Sequence, residues 1–160
     1  MSASTFLQRG VSLWNHFTAF LDNSQPLAAL LARGYVAEVF FRSGLTKIRD
    51  WDTTLALFGD DYKVPLLSPA AAAVMGTTGE LLLPVLLVLG LGGRFAALGL
   101  SVVNVVAVIS LSEIAPAALQ QHVTWGVLLA GLAIFGVGRW SLDVAWVRPW
   151  LRRSGLTTAG

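Results

Sequence analysis

Glu38, Arg42, Glu80, Asn104 and His122 are polar or ionisable residues set inside long apolar stretches. A charge at the centre of a bilayer costs on the order of 3 kcal/mol on insertion scales, so such residues are site candidates by default. On a helix Glu38 and Arg42 lie one turn and about 40° apart, and Tyr35 joins their face. Glu80 shares a face with the small residues Gly76 and Thr77 and with Pro84. Asn104 aligns with Ala97, Ser101 and Val108, and His122 with Gly126, Leu129 and Ala133. The five side chains read as one polar seam. Two carboxylates and one guanidinium leave one carboxylate without an obvious partner, which suits proton exchange. The same residues fit a buried network that only sets helix register. His122 taken alone reads as a polar interface residue before it reads as a ligand.

Other charges have different expected roles. Arg33 and Lys47 point nearly opposite to Glu38 and Arg42 and lie about 21 Å apart along a helix axis. They are expected to reach water or headgroups by extending their stems. Arg94 and Arg139 each follow a glycine cluster, in "GLGGR" and "GVGR", and read as interfacial anchors at helix ends. Asp143 reads as a structural partner for Arg33 or Arg139.

The elements that must position these groups follow from composition. Of 160 residues, 55% are hydrophobic and 12% charged, against about 25% charged in an ordinary soluble chain. Mean hydropathy is +0.68. The bilayer is therefore the expected solvent. Stretches of about 27–49, 68–91, 94–113 and 118–139 each supply the ~20 residues that cross ~30 Å of hydrocarbon. Pro26 suits the start of the first, Pro65 and Pro69 mark the approach to the second, and Pro116 falls between the third and fourth. The fold class is all-α, an integral-membrane four-helix bundle over 26–145. An amphipathic interfacial segment precedes it at 1–25 and a basic cytoplasmic tail follows at 146–160.

Orientation follows the Lys/Arg bias. Arg9, Arg94, Arg139, Arg148, Arg152 and Arg153 fall on one side. Lys47, Arg49 and Lys63 fall on the other, among four aspartates, Asp50, Asp52, Asp60 and Asp61. Both termini are expected in the cytoplasm of a multi-pass plasma-membrane protein. Leu7, Val11, Trp14, Phe17 and Leu21 recur at helical spacing, as in a helix lying on a membrane surface. Residues 10–25 lack the continuous apolar core of a cleavable signal peptide. In "DWDTTLALFGDDYKVP", Trp51, Leu55 and Phe58 share a face after a candidate N-cap at Asp50 or Asp52. That stretch is either a short helix across the mouth of the bundle or an aromatic interface anchor.

Some chemistries are excluded. With no cysteine, there is no CxxC pair, zinc ribbon or Cys-ligated cluster. Two histidines do not make a metal site, no basic patch serves nucleic acid, and "GLGGR" has no βαβ context for a dinucleotide.

The stretches "LARGYVAEVFFRSGLTKIRDW", "YKVPLLSP", "GELLLPVLLVLGLGGRFAALGL" and "GVGRWSLD" together resemble the DoxX family of small bacterial membrane proteins. The first and third are the more specific. The resemblance runs from about Leu30 to Asp143. It implies a four-helix protein of the bacterial inner membrane. It also implies an association with redox, since some relatives are subunits of thiosulfate:quinone oxidoreductases and others partner stress-response systems. It supplies no catalytic residue.

Three functions fit. The first is a quinone-linked redox subunit. Arg42 or Asn104 would hold a quinone carbonyl, Glu38 or Glu80 would supply the proton, and a membrane or peripheral partner protein would supply electrons, because the chain carries no covalent cofactor. The second is a non-enzymatic anchor or assembly subunit of a stress-response complex. The third is a small-solute or proton pathway, for which four spans would require a homo-oligomer.

Overall fold

The computed structural model describes residues 3–155, with side chains from residue 7 onward. Among these residues the regular structure is helical: α1 (Ala3–Arg49), α2 (Trp51–Asp60), α3 (Pro69–Leu89), α4 (Gly93–Ile109), α5 (Pro116–Phe135), a π-helical turn (Asp143–Val147) and α6 (Arg148–Arg153). The four expected apolar stretches coincide with the second half of α1 and with α3, α4 and α5. The expected tail at 146–160 is helical as far as Arg153, and residues 156–160 lie outside the described part.

Proline and glycine set most of the boundaries. Ser68 caps α3 by accepting from Ala71 N–H, with Pro69 in its first turn. Pro116 likewise opens α5. Gly90 ends α3 with φ +65, in the left-handed region that L side chains avoid. Gly136 ends α5.

One boundary differs from expectation. Pro26 does not begin a helix: α1 runs through it as one helix of 47 residues, about 70 Å long at 1.5 Å per residue. Pro26 lacks an N–H for the Asp22 carbonyl. It is nonetheless buried beside Gly138, whose φ is +86 and where an added methyl would meet Ala29. Packing thus carries the helix past a residue that would otherwise break it. Residues 7–25 have no helix over them and leave Leu7, Val11, Leu13, Trp14, Phe17, Phe20 and Leu21 exposed.

The four longer helices pack in chain order, α1 on α3, α3 on α4 and α4 on α5, and α5 returns to touch α1. Val36, Phe40, Leu87, Ala96, Ala97, Leu100, Leu129 and Leu132 form the main core. Close approach comes from glycine: a methyl at Gly44 would fall 2.9 Å from Leu81, and one at Gly99 2.8 Å from Leu83. A second cluster, Phe58 with Ala72 and Ala73, seats α2 across one end of the assembly. Asp50 caps α2 through Thr53, and Trp51 and Leu55 pack beside Phe58. At that same end Lys63 N–H donates to Ser110 O, tying together the loops after α2 and α4.

The outward surface is apolar. Val74, Leu82, Phe95, Leu98, Val102, Val105, Val127 and Ile134 are all exposed. α3 and α5 are long and apolar enough to cross a membrane, yet their most apolar windows are only 33% and 11% buried. A core helix of a water-soluble protein would be mostly covered. Apolar surface facing outward on this scale calls for an apolar solvent.

Candidate functional site

The expected seam divides into three separate groups. The first lies beneath α2. Lys47 Nζ is 2.6 Å from Glu80 Oε2, with the two side chains 18% and 9% exposed. Ser43 donates to Glu80 Oε1 at 3.2 Å and accepts from Lys47 Nζ at 2.9 Å. Thr54 of α2 donates to the Lys47 carbonyl. Two expectations are corrected here. Lys47 does not extend toward water but folds inward, because Gly44 lets α1 approach Glu80 and Leu81 closely. The seam has no spare carboxylate, because Lys47 holds Glu80 and Arg42 holds Glu38. Tyr62, on the loop after α2, has its phenol pKa raised, first by burial and then by the charges of Glu80 and Asp61.

The second group joins α4 to α5 and α5 to α1. Asn104 Nδ2 donates to the His122 carbonyl at 2.9 Å, and Asn104 Oδ1 pairs with His122 Nδ1 at 2.8 Å. The His122 ring meets Trp125 edge-on, with centroids 4.9 Å apart. Trp125 Nε1 in turn donates to the Tyr35 hydroxyl at 3.4 Å and packs against Phe40. A line of rings and hydrogen bonds therefore leads from buried Asn104 to half-exposed Tyr35. Among the described residues no hydrogen bond connects it to Glu80.

The third group is Glu38 with Arg42, paired at 2.7 Å as their spacing predicts. The structure turns this pair outward: the side chains are 58% and 77% exposed. Val36, Ala37 and Phe40 occupy the inward face of α1 instead. Tyr35, Glu38 and Arg42 thus form one outward stripe that begins beside Trp125.

The remaining charges lie at the end opposite α2. Arg33 was expected to reach an interface, and it is fully buried. Its Nη2 donates to the Trp140 carbonyl, and its Nε and Nη1 have no partner. The chain between α5 and the π-helical turn folds over it. Asp143 pairs with neither Arg33 nor Arg139. Its carboxylate accepts from Gly92 N–H at 2.9 Å and Gly93 N–H at 3.1 Å, capping α4 where the glycine N-cap has no side chain of its own. Arg94 donates to the Ile134 carbonyl at the end of α5, and Arg139 is exposed.

Sequence reasoning missed Ser43, Trp125 and Ser141. The first two carried a legible signal: Ser43 stands four residues before Lys47 and Trp125 three after His122, the spacings at which helical side chains meet. Ser141 carried none, since its neighbours are brought to it by chain folding.

Among the described residues the molecule is thus an all-helical protein whose apolar helices face outward and whose buried polar pairs, Lys47–Glu80 and Asn104–His122, join helix to helix. Residues 28–113, more than half of the chain, match the family model described as DoxX, and the chain belongs to the DoxX family. That family is membrane-associated. No curated protein and no solved structure matches the chain.

Proposed function

We propose that the chain is a multi-pass subunit of the bacterial inner membrane that presents a quinone site to a redox partner, the partner supplying the electrons. In this reading the second half of α1 crosses the membrane with α3, α4 and α5, and the Lys/Arg bias favours α2 outside and Arg94, Arg139 and Arg148 at the cytoplasmic face. Because α1 is unbroken at Pro26, residues 7–25 continue the helix of the first span past the cytoplasmic face instead of lying along the headgroups.

The observation that carries the redox reading is the line Asn104–His122–Trp125–Tyr35, opening beside Glu38 and Arg42 on the outward face of α1. A quinone reaches a protein sideways from the lipid. A site for it needs apolar or aromatic flanks, donors for carbonyl oxygens and a proton source. Trp125 and Tyr35 supply the flanks. The Arg42 guanidinium and the Tyr35 hydroxyl supply donors, and Glu38 a proton carrier. Reduction to the quinol takes two electrons from the partner and two protons through such groups. Lys47 and Glu80 stand outside this site and act as a link between helices.

The test is extraction of lipids from the purified full-length protein, followed by quinone analysis. Wild-type protein retains quinone, and Arg42→Gln and Tyr35→Phe variants of normal stability lose it. Wild-type protein without quinone, and without quinone reduction beside its co-purifying partners, sinks the proposal.

A second reading, a non-enzymatic anchor or assembly subunit, is favoured by one feature: Lys47–Glu80 and Asn104–His122 each satisfy one another across two helices. In that case Glu38→Gln and Glu80→Gln lower assembly with the partner, with no separable loss of activity.

A further inference from the structure

At the end opposite α2 a cleft of about 690 Å³ opens between α1, the start of α4 and the chain that follows α5. Three arginines line it, Arg94, Arg139 and Arg148, together with Asp22 and Asp143. The Asp143 carboxylate is committed to the backbone, giving both oxygens to the N–H groups of Gly92 and Gly93. Asp22 is exposed at the rim with one hydrogen bond, accepted from Gln25. Arg94 uses one donor on Ile134, while a guanidinium offers five.

The wall of the cleft holds a second signal. Ser141 lines it, is more than nine-tenths buried, and its hydroxyl has no hydrogen-bond partner. Immediately behind stands Arg33, fully buried, with Nε and Nη1 also unpartnered. The two residues flank Gly90, where a methyl group would collide with both. Buried donors without acceptors are rare in folded proteins and call for an explanation at each site. Here they sit next to an opening walled by three further cations.

We propose that this cleft binds a phosphate-bearing anion, gripped by Arg94, Arg139 and Arg148, with the unpartnered Ser141 and Arg33 donors buried behind its wall. Planar guanidinium forks match phosphate oxygens in pairs. The N-terminus of α4 is already capped by Asp143, so side chains and not the helix end supply the attraction. The ligand is a phospholipid headgroup or a soluble phosphate compound. The lipid source rests on the four-span orientation above; phosphate recognition does not, and neither depends on the quinone reading.

Full-length protein in neutral detergent is exposed separately to phosphatidylglycerol, phosphatidylcholine and inorganic phosphate. Native mass spectrometry reads the adducts and thermal unfolding reads stabilisation. Retention of phosphatidylglycerol over phosphatidylcholine identifies a lipid headgroup. Stabilisation by inorganic phosphate without lipid retention identifies a soluble ligand. In either case Arg139→Gln/Arg148→Gln weakens binding about tenfold or more, the effect of one lost charge-assisted hydrogen bond. Arg152→Gln/Arg153→Gln, which removes basic residues outside the cleft, leaves binding intact. If the first double variant does not fold, Arg139→Lys decides, because it keeps the charge and loses the fork. The proposal is overturned by equal retention of both lipids with no response to phosphate, by equal loss in the two double variants, by unchanged binding in Arg139→Lys, or by no binding of any probe.

Discussion

Lys47, two residues from the end of α1, reaches inward to place its ammonium 2.6 Å from the Glu80 carboxylate, halfway along α3. The pair ties together the two helices that pack most extensively, beneath the cover that α2 provides.

Breaking this pair leaves one charge buried and uncompensated, which destabilises by about 3 kcal/mol or more, whereas replacing both partners with apolar residues is often near neutral. Lys47→Met and Glu80→Leu are each expected to lower the unfolding temperature in detergent, and the double variant to recover most of the loss. Additive losses would show that the two residues act independently.

Asn104 and His122 form two hydrogen bonds between α4 and α5. One of them uses the His122 backbone, so only the side-chain bond is lost in His122→Ala. A double-mutant cycle with Asn104→Ala should return a coupling on the order of 1 kcal/mol, read from unfolding curves. Zero coupling would mean that the side-chain bond does not form.

Gly90 has φ +65 and no room for a methyl between Arg33 and Ser141. Gly90→Ala is expected to destabilise by at least the ~1–2 kcal/mol of a left-handed residue, with loss of expression. Gly131→Ala, in α5 with open space around the added methyl, should express as wild type. Indistinguishable variants would contradict the packing at the end of α3.

Tyr62 has a phenol pKa raised above its ordinary value of 10.0 by burial and by its acidic neighbours. The folded protein therefore holds this proton more tightly than the unfolded chain. The associated stability is fully present below about pH 10 and is lost as pH rises through the folded-state pKa. Wild-type protein should lose unfolding temperature across that alkaline window more steeply than Tyr62→Phe. Phenolate absorbance should likewise show one late-titrating tyrosine that the variant lacks. Parallel pH profiles would refute the shift.

Much of the helical plan was legible beforehand. Pro69, Pro116, Gly90 and Gly136 bound helices for backbone reasons that act locally, and Asp50, Trp51, Leu55 and Phe58 announced α2 by capping and periodicity. Pro26 misled, because its local preference is overridden by packing beside Gly138. The polar residues were legible as a set and not as partners. Spacing along one helix predicts Glu38–Arg42, which forms, but cannot say which way a helix face turns within the assembly. That choice left Glu38 and Arg42 outward and brought Arg33 and Lys47 inward.

The sequence by itself determined the helical, apolar segments and most of their ends, the start at Pro26 excepted, because these depend on residue type and spacing along one strand of chain. Only the tertiary structure decided which charges meet. Lys47 finds Glu80 across 33 residues, Arg33 finds Trp140 across 107, and Asp143 finds Gly92 across 51. Such pairings depend on how helices rotate and how closely their glycines let them approach, and no one-dimensional pattern encodes either.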